Sequence, residues 1–69
     1  MPAALGVLLA RRGWTDGELA RRAGLDRAHV NAVKNGRLEP TVATALAIAR
    51  ALGLPVAAVF GAATRRRLT

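Results

Sequence analysis

Residues 25–36, Leu25-Asp26-Arg27-Ala28-His29-Val30-Asn31-Ala32-Val33-Lys34-Asn35-Gly36, carry a helix start, a helix stop and a clear period between them. Asp26 is a good N-cap, since its carboxylate can accept from the open amides of a first turn. Gly36 supplies the left-handed residue that commonly ends a helix. A helix over about Arg27 to Asn35 is predicted. At ~100° per residue, Val30 and Val33 fall on one side, and Ala28, Asn31, Ala32 and Asn35 on the other, flanked by Arg27 and His29. An ordinary solvated face would carry Glu and Lys; this one carries two alanines and two carboxamides, with Lys34 as its single charge in the second half. Small side chains allow close approach to another surface, and Asn offers the donor and acceptor that match the major-groove edge of adenine. From this helix alone, a DNA-reading face and a solvated face both stay open.

Working outward toward the N-terminus, Thr15 with Glu18 three residues on forms a capping box and starts a second helix. Its buried side is Leu19, Ala20 and Ala23, with Arg21 and Arg22 outward. Only Gly24, Leu25 and Asp26 separate this helix from the next, which is helix-turn-helix spacing. Upstream, Pro2 to Arg12 turns Leu5, Leu8 and Leu9 inward, sets Arg11 and Arg12 in a last turn where cations are favoured, and is weakened by Gly6.

Downstream, Thr41 caps a fourth helix whose apolar face is Val42, Ala45, Leu46, Ile48, Ala49 and Leu52. Leu54-Pro55 opens a fifth, in which Val56, Val59 and Phe60 close the core. Gly13, Gly24, Gly36, Gly53 and Gly61 punctuate the chain at helix-length intervals, and no strand-like alternation occurs. The expectation is a compact all-α domain of five short helices over residues 1–61, followed by a basic tail, 62–69, containing Arg65, Arg66 and Arg67.

The 69 residues suffice for one small domain. Hydrophobic residues make up 52% but include one Trp and one Phe, so the core must be aliphatic; Trp14 is assigned to staple the second helix onto it. There is no cysteine, no apolar run of the ~18 residues that a membrane span needs, and no signal-peptide pattern, so a cytoplasmic, membrane-free protein is expected. The net charge of +7, with ten of eleven cations Arg, favours a polyanionic partner, nucleic acid first. Catalysis needs a positioned acid, base, nucleophile or metal. Here Asp16, Glu18 and Asp26 are taken by helix starts, which leaves Glu39 as the one remaining carboxylate for chemistry, and His29 has no second His or Cys to join it. No catalytic residue, metal, cofactor or small-molecule ligand is expected.

Leu5 and Leu8, RGWTDGELARRAGLDRAHVNAVKNGRLEPT from Arg12 to Thr41, and ALAIARALGLPVAAVF from Ala45 to Phe60 together resemble the helix-turn-helix domains of lambda repressor and Cro, a large group of bacterial and phage regulators. The resemblance covers about four-fifths of the chain with spacing intact. It implies a five-helix domain that binds double-stranded DNA as a homodimer on a near-palindromic operator and regulates transcription, most simply as a repressor.

By position, the resemblance puts Arg27, Ala28, Asn31 and Ala32 against bases and His29 against base or phosphate. Lys34, Asn35 and Arg37 fall where the backbone is gripped, and Thr15 and Asp16 at a helix start whose amides face a phosphate. Two departures stand out. Asp16 replaces the usual Gln and should repel a phosphate, so Asp16→Gln is expected to tighten binding. Leu9, Ala43, Ala47 and Ala51 stand where polar or charged residues are usual. Ala43, Ala47 and Ala51, with Val56 or Phe60 nearby, are the expected dimer interface. An antitoxin that masks a protein partner while binding DNA is the main alternative. RNA binding comes third, for want of aromatics on which bases could stack.

Overall fold

The computed structural model describes residues 3–60. Its helices are α1 (Ala3–Arg12), α2 (Asp16–Ala23), α3 (Arg27–Lys34) and α4 (Val42–Leu52), followed by a short helical segment, α5, at residues 56–60. No strand occurs among the described residues. Pro2, Gly61 and the tail expected at 62–69 lie outside them.

The helix ends show which local signals act. Thr15 and Thr41 both hold extended N-cap backbones, and their hydroxyls accept from the amides of Glu18 at 3.1 Å and Thr44 at 3.2 Å. The box at α2 is closed on one side only, because the Glu18 carboxylate turns to Arg21 and Arg22. Asp26 departs from expectation: its backbone is that of an N-cap, yet its side chain makes no capping bond. Its carbonyl still accepts the first helical bond, from Val30 N at 3.1 Å. Between α2 and α3, Gly24 takes φ 71°, a left-handed turn that strains any residue with a Cβ. The chain thereby reverses within three residues and lays α3 across α2.

The core gathers Leu5 and Leu9 from α1, Leu19 and Ala20 from α2, Val30 and Val33 from α3, Ala45, Ile48, Ala49 and Leu52 from α4, and Val59 and Phe60 from α5. Helix α2 packs on both α3 and α4, while α1 packs on α3. Leu8, Ala23 and Val56 are half-buried against the same cluster. Two residues expected on the buried face of α4 are not there: Val42 is 50% and Leu46 40% exposed, and Thr44 is buried in their stead. The inward face is centred on Ala45, Ile48, Ala49 and Leu52. Thr44 and Leu46 flank Ala45 at ~100° on opposite sides, and the Leu46 flank, which Val42 shares, is the one left in solvent.

Trp14 performs the stapling role assigned to it. Its ring packs against the core, with the Arg12 guanidinium 5.3 Å and the Arg22 guanidinium 4.4 Å from the ring centroid. Arg12 also donates to the Leu52 carbonyl at 2.6 Å, so one arginine ties the end of α1 to the end of α4.

Candidate nucleic-acid interface

Because Val30 and Val33 are buried, the opposite side of α3 must face outward. Arg27, Ala28 and Asn35 are exposed on it, while His29, Asn31 and Ala32 are half-buried. A cleft of about 610 Å³ opens between this face and the start of α2, lined by Thr15, Asp16, Gly17, Arg27, Ala28 and Asn31. The Arg27 stem runs along α2, its Cδ 3.6 Å from where a Cβ at Gly17 would sit, an ordinary contact distance. The cleft has a cation on one wall and the amide-rich start of α2 on the other, where the helix dipole favours an anion.

A polar network crosses the same surface. Asp16 Oδ2 accepts from Asn31 Nδ2, and Asp16 Oδ1 from Lys34 Nζ, each at 2.8 Å. Asn31 Oδ1 in turn accepts from Arg37 Nη2 at 2.7 Å and from Asn35 Nδ2 at 3.2 Å. The stem of Lys34 passes over Gly6 of α1, with Cγ 3.8 Å from where a Cβ would sit. These donors hold the Asp16 carboxyl below its ordinary pKa. The hydrogen bond from Asn31 acts most strongly, then that from Lys34, against a partial desolvation that works the other way.

Three expectations change on this geometry. Asp16, placed against a phosphate on sequence grounds, directs both carboxylate oxygens at α3. Lys34, placed on the backbone, has its ammonium committed to Asp16 and its side chain largely covered. Asn31, placed among base readers, has its carboxamide engaged on both sides. Arg27, Ala28, His29, Ala32 and Asn35 do lie together on the outer side. Thr15 lines the cleft while its hydroxyl caps α2, and Arg37 is exposed but tethered to Asn31.

The set expected to form a dimer face splits as well. Phe60 is only 5% exposed, within the core, and Ala51 and Val56 pack partly buried against it. Ala43 is exposed and Ala47 half-buried. The large apolar side chains open to solvent are instead Leu38, Val42, Leu46 and, on α1, Val7.

Gly17, whose backbone runs beside the Arg27 stem, escaped sequence reasoning. Its signal was a glycine in the first turn of the second predicted helix, where that residue costs helix propensity.

The Helix-turn-helix family model matches residues 7–59. Among solved structures, the chain is similar to the crystal structure of a hypothetical transcription factor, NHTF, from Neisseria. The two are 29% identical with a TM-score of 0.77, over 99% of this chain and 79% of that one. No curated protein sequence matches significantly.

Proposed function

The chain belongs to the Helix-turn-helix family, in its lambda repressor-like branch, as a DNA-binding transcriptional regulator, and we propose that it is a repressor that binds a near-palindromic operator as a homodimer in the cytoplasm. The observation that carries the DNA-reading surface is the outward face of α3, with Arg27 and Ala28 exposed beside the cleft at the start of α2. Arg27, Ala28, His29 and Ala32 meet base edges in this reading. Thr15, the α2 amides and Asn35 lie toward the phosphates. Family membership also supports a binding protein over an enzyme. No helix among the described residues is long and apolar enough to cross a membrane.

Neutralising phosphates releases condensed counterions, so log K should fall linearly with log salt, by about 0.9 per phosphate contact on duplex DNA. Anisotropy titrations of a labelled duplex selected by the protein, at several salt concentrations, are expected to give a steep slope. A flat response from low to physiological salt would overturn the reading.

The dimer reading rests on size and on exposed surface. The folded body measures 29 × 21 × 20 Å and presents one recognition helix. Two such helices must lie about 34 Å apart to enter successive major grooves. Val42, Ala43 and Leu46, beside half-buried Ala47, form the apolar strip of α4 that a second copy could cover. Leu46→Glu is expected to move sedimentation toward monomer. Operator affinity should then drop by roughly 10²-fold or more, because the second half-site no longer binds at high effective concentration. A wild-type protein that stays monomeric both free and on its operator would end the dimer reading.

A further inference from the structure

At three helix ends the residue after a glycine donates its amide to the carbonyl five positions back: Trp14 to Leu9, Leu25 to Ala20 and Leu54 to Ala49. Each of those three side chains then packs against the core, the usual companion of this closing motif. The end of α3 closes in the same way, with Gly36 at φ 78° and Arg37 N donating to Ala32 O at 2.9 Å. Here the seat of an apolar residue is taken by an exposed arginine, which runs back along α3 to Asn31.

The chemistry of the partners determines which way the Asn31 amide faces. A carboxylate only accepts and a guanidinium only donates, so Nδ2 must face Asp16 and Oδ1 must face Arg37. With Asn35 also donating to it, Oδ1 has both lone pairs occupied. Reading adenine would require that same oxygen as an acceptor beside a free N–H. Arg37, by contrast, spends one of its five N–H donors on Asn31. It retains the parallel pair that grips guanine O6 and N7.

We infer that Arg37 reads a guanine from the outward face of α3 and that Asn31 is the positioning residue that holds it there. The inference rests on the reading of this face as the DNA-binding one. Asp16 completes the arrangement by orienting the Asn31 amide, so Arg37 joins Arg27, Ala28, His29 and Ala32 in the base-reading set.

The test is selection from randomised duplexes by the wild-type protein, then titration of the selected duplex and its single-base-pair variants. The proteins compared are wild type, Arg37→Lys, Arg37→Ala, Asn31→Ala and Asn31→Ala/Arg37→Ala. Arg37→Lys keeps the charge on an exposed side chain, so its fold, read by circular dichroism, should hold. Its preference for one G·C pair should nonetheless fall roughly ten- to hundredfold. Asn31→Ala should relax that same pair, and the double variant should discriminate no worse than Arg37→Ala. If Arg37→Lys keeps the preference, if Arg37→Ala weakens all duplexes by one factor, or if Asn31→Ala relaxes a different pair, the inference is overturned while DNA binding stands. A wild-type protein that selects no sequence would overturn the sequence-specific reading itself.

Discussion

Leu19→Ala should take the domain from folded to substantially unfolded. Leu19 is fully buried on α2, the helix that packs on both α3 and α4, so no neighbouring surface can easily collapse into the space it leaves. Truncating such a leucine costs about 2–5 kcal/mol, lost transfer energy and cavity together. A chain of this length has roughly 3–10 kcal/mol of total stability. Circular dichroism melts should show Tm falling by about 8–40 °C. Leu46→Ala is the informative control, because 40% of that leucine is already in water. On a monomeric protein it should change stability by no more than about 0.5 kcal/mol. With the protein diluted to monomer, so that no second copy covers the Leu46 strip, equal losses from the two substitutions would mean that α4 packs with its other face inward.

That contrast marks where the fold could be read from sequence and where it could not. The ends of α2 and α4 follow from Thr15, Thr41, Gly24 and Gly53, whose side chains or backbone freedom act within a few residues. In α3, two valines among polar neighbours leave one choice of buried side. Helix α4 reads VATALAIARAL and is apolar nearly all round, so its period does not select a face. Only packing against α2 and α5 decides that Thr44 goes in while Val42 and Leu46 stay out. A core face drawn from that period therefore misplaces the core edge at Val42, Thr44 and Leu46.

The candidate interface shows the same division. Which side of α3 points outward was legible, because it is the complement of Val30 and Val33. What its polar groups would bind was not. Asp16 meets Asn31 and Lys34 across 15 and 18 residues of chain, and no local rule pairs positions so far apart. The resemblance sets Asp16 beside a phosphate by position; the folded chain brings it two donors. Glu18 errs in the same direction, since a capping box predicts a reach backward and the available arginines draw the carboxylate forward.

Asp16→Ala carries the second large effect, and it runs on stability and on DNA in opposite directions. The substitution leaves Asn31 Nδ2 without its acceptor and Lys34 without its counter-ion, both in part-buried positions. Hydrogen bonds to a charged group contribute about 1.5–3 kcal/mol, and the ability of Lys34 to swing into water places the loss toward the lower end. The folded-state pKa of Asp16 is depressed below the ordinary 3.8, first by Asn31 and then by Lys34. Its contribution is therefore complete above the unfolded value and is lost as pH falls through the lower, folded one. The Tm gap between wild type and variant should be constant from neutral pH down to about 4, then narrow on further acidification. The shift at Glu18 is common to both proteins and cancels in this comparison. On DNA, removing one negative charge and releasing Lys34 should tighten binding to random duplex and steepen its salt slope by about 0.9, one added phosphate contact. Discrimination should meanwhile relax at the base pair assigned to Arg37, because Asn31 is no longer held. A Tm gap that persists unchanged through strong acid would show that the ionised carboxylate is not what stabilises this corner, and unchanged affinity for random DNA would show that Lys34 stays out of reach of the phosphates even when freed.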